Sequence, residues 1–162
     1  MKNLHRHTIP FNYNKKILYK SMDDRVFKDA TLLTPGEWTD SVSRTPITYT
    51  DAALFLSANN WTKNILNLDH EWKVLNTIGT VQNPRYHSGS IRADLFVTPR
   101  TQNGKDAITL IDLGLVNALS IELMSNDTWD SDDFKRYATD IEYLGCAMVY
   151  GDNAACSEAK VK

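Results

Sequence analysis

The strictest constraint on what this chain can fold into is a period-two alternation in its second half. In "SIRADLFVT" (90–98), Ile91, Ala93, Leu95 and Val97 alternate with Arg92 and Asp94. Successive strand side chains point to opposite faces, so this spacing predicts a half-buried strand with one apolar face. "LVNALSIELM" (115–124) also reads as a strand, with Leu119, Ile121 and Leu123 on one face. Its other face carries Ala118, Ser120 and Glu122, a hydroxyl and an acid where a core strand would place apolar groups.

Further strands are expected at 28–34, ended by the Pro-Gly turn of "PGEW", at 72–82, closed by Asn83-Pro84, and at 140–150. Three isolated segments read as helices. "TDAALFLSANN" (50–60) has Thr50 as N-cap and Asp51 in its first turn. "GKDAITLIDLG" (104–114) ends on Gly114, at the position past a helix that tolerates positive φ. "DSDDFKRYAT" (130–139) gathers acids where a helix dipole favours them. Strands interrupted by isolated helices predict an α+β fold: a β-barrel or strongly curled, mainly antiparallel sheet with a few surrounding helices, not a regular βαβ sheet. Residues 1–27 read as an irregular N-terminal arm and 28–162 as one domain.

The chain's 162 residues are 42% hydrophobic, enough for one core. A net charge of −2 argues against a nucleic-acid partner. No apolar run approaches the roughly 20 residues that span a bilayer, and the basic N-terminus lacks the apolar segment of a signal peptide. Cys146 and Cys156 have no metal-ligand spacing and read as reduced thiols, so neither metal nor cofactor is expected.

Ser120 is either a buried hydroxyl bonded to a neighbouring carbonyl or a nucleophile, and a nucleophile needs a base with a third group to orient it. His5 and His7 fall in the expected arm and His87 in a turn-like surface segment. His70, between Leu68 and Trp72, is the remaining candidate.

The order of these segments resembles the tailed-virus prohead maturation proteases, which are related in fold to herpesvirus assemblin. The resemblance is carried by "LDHEWKVLNTIGTV", then "IRADLFVTP" and "GKDAITLIDLGLVNALSIEL", then "AMVYGDNAACSEAKV". It covers residues 28 to 161. It implies a serine endopeptidase of procapsid maturation, with Ser120 as nucleophile and His70 as general base. Scaffolding protein, the arm of the major capsid protein and the chain itself would be substrates, inside the viral procapsid in the host cytoplasm. Self-association stays open. The third member should come from the last strand: Glu142 is favoured as the deeper residue, with Asp140 second. Glu122 is a third possibility, but two residues along from the nucleophile it is expected to point past the histidine and line the cleft.

Several positions depart from that family. Its members commonly have glycine where Glu122 stands, many carry a glutamate at the position of Leu144, and the closing turn here is "GDNAA". Herpesvirus relatives use arginines after the last strand, but no arginine follows Arg136, so backbone amides would have to serve as oxyanion donors. The chain stops at "SEAKVK" without a long scaffold-like segment, as expected of a processed form or of a system whose scaffold is a separate protein. The main alternative is a non-enzymatic capsid-assembly accessory protein that keeps the fold; the second is an unrelated small hydrolase using the same dyad.

Overall fold

Two long strands, β8 (Ala118–Asp130) and β9 (Lys135–Val149), form a hairpin at the centre of the computed structural model, which describes residues 2–10, 24–39, 44–116 and 118–150. Around them stand β1 (Asn3–Pro10), β2 (Arg25–Leu33), β3 (Gly36–Thr39), β4 (Pro46–Tyr49), β5 (Trp61–Leu68), β6 (Thr77–His87) and β7 (Ser90–Val97). The main path of this nine-stranded sheet runs β1-β8-β9-β5-β6-β7-β2. Pairing is antiparallel except where β9 meets β5 and β4. The sheet curls until its edge strands β1 and β2 lie close to one another. Leu32, Ile78, Ile91, Leu95, Leu119 and Ile121 belong to the core within that curl.

The alternation read in 90–98 is the inward face of β7, where Ile91, Ala93, Leu95 and Val97 are fully buried. Both neighbours of β7 are bulged, at Asp29 in β2 and at Asn83 in β6, each with positive φ. Bulges of this kind increase strand twist and bend, which suits a curled sheet. Asp94 ties them together: its carboxylate accepts from the Asp29 N–H (3.0 Å), Lys28 Nζ (2.9 Å) and Asn83 Nδ2 (3.1 Å). The strand expected at 72–82 starts only at Thr77, after a 3-10 turn at Val74–Asn76, and continues past Asn83-Pro84 through the bulge to His87.

Among the described residues, two α-helices form where local signals favour them. In α1 (Asp51–Ser57) the Thr50 hydroxyl accepts from the Ala53 N–H at 3.1 Å. In α2 (Gln102–Asp112) Thr101 caps the start, and Gly114 adopts φ 72° past the end. The Gly114 N–H bonds the Ile111 carbonyl and the Leu115 N–H that of Leu110, a Schellman closure.

The helix expected at 130–139 is instead the β8–β9 turn and the start of β9. Asp130 Oδ1 accepts from the Asp132 N–H and Asp133 Oδ1 from the Lys135 N–H. Short acidic side chains compete for nearby backbone donors, and here they close a turn rather than start a helix. The N-terminal arm also differs from expectation: residues 3–10 form β1, antiparallel to β8.

Candidate active site

Ser120 and Glu122 lie on the β8 face opposite the core, as the alternation predicts. Leu119, Ile121 and Leu123 pack in the main cluster, while Ala118 packs with Ala147 and Val149 on the other side. Across β9, Ser120 is opposite Ala147 and Glu122 opposite Gly145. The floor around the hydroxyl and the acid is thus built of small residues. Gly145 is required by its backbone surroundings, because a Cβ there would meet the Ile65 carbonyl oxygen at 2.8 Å.

His70 comes to this face through the turn after β5. The Glu71 N–H bonds the Leu68 carbonyl at 3.0 Å, closing a four-residue turn. Its central residues, Asp69 and His70, have φ of 50° and 59°. Positive φ at both central positions marks a type I′ turn. Parallel pairing of β5 with β9 brings this turn beside β8, and the Asp69 N–H extends the pairing to the Met148 carbonyl.

The imidazole meets Glu122: His70 Nδ1 lies 2.5 Å from Glu122 Oε1, with the carboxylate only 1% exposed. Arg6 of β1 places Nε 3.2 Å from the same oxygen. A buried carboxylate needs partners of this kind, since leaving it uncompensated costs about 3–5 kcal/mol. With Nδ1 facing the acid, Nε2 is the ring atom left to take a proton. Glu122, expected to point past the histidine, is instead its partner.

Ser120 is fully buried, and its Oγ makes no hydrogen bond among the described residues. The serine and His70 share a sheet face, but no hydrogen bond joins them. A buried, unpaired hydroxyl costs about 1–3 kcal/mol. Alanine would avoid that cost, so the position is poorly explained by packing.

Glu142 and Asp140 have other partners. Glu142 accepts from Lys2 Nζ at 3.1 Å, and hydrogen bonds from Lys2 and then Thr62 hold its carboxyl below the usual range. Asp140 accepts from Asn126 Nδ2 at 2.8 Å. It borders a cavity of about 580 Å³ between α1 and β9, whose lining includes neither Ser120 nor His70. His5 and His7, expected in a loose arm, are buried in β1. His5 Nε2 lies 3.4 Å from Asp127 Oδ1, and His7 Nε2 is 2.6 Å from the Tyr49 hydroxyl. His87 is exposed, as expected. Arg6 was hidden from sequence reasoning inside the supposed arm; the hint lay in residues 3–10, where its neighbours His5 and His7 occupy alternate positions. The "GDNAA" turn and Cys156 lie outside the described residues.

No family model matches the sequence, and no curated protein matches it. Among solved structures, the chain resembles the bacteriophage T4 capsid assembly protease with a TM-score of 0.62 and 10% sequence identity. The match covers 92% of this chain and 99% of that one. At this identity the likeness is one of fold, and the chain has the curled, mainly antiparallel α+β architecture of that protease.

Proposed function

We propose that this chain is a serine endopeptidase of viral procapsid maturation, with Ser120 as nucleophile, His70 as general base and Glu122 as the acid that orients it. The observation that carries the reading is the 2.5 Å contact between His70 Nδ1 and Glu122 Oε1 on the sheet face that holds Ser120. A carboxylate on Nδ1 selects the tautomer whose Nε2 accepts a proton, and it stabilises the imidazolium that follows.

Ser120 Oγ attacks the scissile carbonyl carbon as its proton passes to His70 Nε2. The tetrahedral intermediate collapses, the C–N bond breaks, and His70 returns the proton to the leaving amine. Water then repeats the sequence on the acyl-enzyme and frees Ser120. The orienting role expected of Glu142 or Asp140 falls to Glu122, which is in contact with the imidazole. Shared fold with a capsid assembly protease supports the procapsid as the setting. The substrates are scaffolding protein, the arm of the capsid protein and the chain itself.

A non-enzymatic assembly protein is the second reading. It is favoured by the absence of a Ser120–His70 hydrogen bond and by the complete burial of Ser120. Expression of the chain with the scaffolding and capsid proteins of its own virus, read by intact mass, separates the two. Fragments that disappear with Ser120→Ala support the protease; intact partners with the wild-type chain support the assembly protein.

A further inference from the structure

The proposed reaction needs a donor for the oxygen that becomes negative in the tetrahedral intermediate, and the nucleophile's own backbone is poorly suited to the task. β8 is an interior strand, paired with β1 on one side and β9 on the other through Ser120 and both its neighbours. Its N–H groups are committed to the two ladders, unlike those of a nucleophile on a sharp turn. A side chain is the better source.

The cross-strand row through Ser120 contains one. Ser120 is opposite Ala147 in β9, and Ala147 is opposite Asn67 in β5. Residues opposite one another share a sheet face, and the burial pattern agrees: Leu66 is in the core on the other side. Asn67 is 2% exposed, a buried amide on a strand of otherwise ordinary composition. Its Oδ1 accepts from the Thr77 hydroxyl at 3.2 Å, which fixes the direction of the amide. Its Nδ2 makes no hydrogen bond among the described residues. Two strand spacings separate the Cα atoms of Ser120 and Asn67 by about 10 Å. Only the Ala147 methyl group stands between them in the row. Asn67 also lies three residues before His70, so β5 and its turn would deliver both donor and base.

We infer that Asn67 is the oxyanion donor of the Ser120 site, its Nδ2 hydrogen-bonding the carbonyl oxygen of a substrate held over Ala147 beside the Ser120 hydroxyl. This rests on Ser120 being a nucleophile. The Thr77 hydroxyl is the anchor that keeps the amide N–H groups turned toward the substrate.

Diisopropyl fluorophosphate tests the assignment without knowledge of the peptide substrate. Ser120 Oγ bonds to phosphorus, the P–F bond breaks, fluoride leaves, and the serine proton passes to His70. The phosphoryl oxygen gains charge on the way and needs the same donor. Intact mass against time gives the limiting inactivation rate and the half-saturating reagent concentration. Circular dichroism reports the fold of each variant. Asn67→Ala and Asn67→Asp should each lower the limiting rate about a hundredfold, with half-saturation changed less than about threefold. Thr77→Val, which leaves Asn67 in place, should lower it about tenfold and serves if the Asn67 variants fail to fold. Asn67 variants or Thr77→Val reacting at the wild-type rate, while Ser120→Ala does not react, would overturn the role of Asn67 alone. A wild-type chain that never acquires the adduct at Ser120 would overturn the nucleophile reading and this inference with it.

Discussion

Glu122 and Gly145 face each other across the β8–β9 ladder, so the buried acid has a cross-strand partner with no side chain. The space above Gly145 is bordered by Trp72, whose ring lies 3.8 Å from where a Cβ would stand. The same glycine lets the β5 backbone approach β9 closely enough to carry His70 inward.

Gly145→Ala should therefore damage both fold and site. The added carbon would meet the Ile65 carbonyl at 2.8 Å, and backbone cannot yield as a flexible side chain can. A loss of about 1–3 kcal/mol is expected in urea denaturation, the usual cost of overpacking. Cleavage should fall further than the folded fraction does, because the β5 turn is displaced from Glu122.

Replacing the acid isolates its electrostatic part. Glu122→Gln keeps the shape but can no longer stabilise imidazolium and can select the wrong tautomer. Turnover should drop about a thousandfold or more, with the circular dichroism spectrum unchanged. Glu142→Gln and Asp140→Asn should each stay within about twofold of wild type, since their partners are Lys2 and Asn126. A large loss in either, with little in Glu122→Gln, would return the role to β9.

The Asp94 junction should contribute to acid stability. Burial pushes this carboxyl up, but hydrogen bonds from Lys28, the Asp29 N–H and Asn83, with the Lys28 charge, outweigh it and hold it below its usual value. A group depressed in the folded state contributes stability above its unfolded value of about 3.9 and loses it as pH falls through the folded value. Melting temperature should fall as pH drops from about 4 toward 2. Asp94→Asn should flatten that dependence and cost about 1–3 kcal/mol at neutral pH.

Cys146 should be inert while the protein is folded. Burial, and then the nearby Glu122 charge, push its thiol well above the usual range. In a Cys156→Ser background, iodoacetamide at pH 8 should modify Cys146 only after denaturant is added. Rapid modification of the native chain would show that this side of β9 opens.

The alternation in 118–123 made the paired faces of β8 legible, and with them the company of Ser120 and Glu122. Thr50 and Gly114 were legible for a local reason: a cap and a positive-φ stop act on their own helix. What stayed hidden depends on distant partners. The parallel β5–β9 pairing decides that the His70 turn reaches β8, and nothing near His70 in sequence specifies it. β1 was missed because His5 and His7 occupy its buried positions, where an apolar pattern would have marked a strand. The 130–139 segment misled because acids that suit a helix start also close turns.

In the proposed mechanism Ser120 and His70 work as one unit, although no hydrogen bond joins them in the structure. Their coupling is measured by the rate at which wild type, Ser120→Ala, His70→Ala and the double variant cleave the proposed scaffolding and capsid-protein substrates. Residues of one catalytic unit are strongly non-additive. Each single variant should lose essentially all cleavage while keeping its fold, and the double variant should be scarcely worse than either. Cleavage by Ser120→Ala at the wild-type rate would contradict this mechanism.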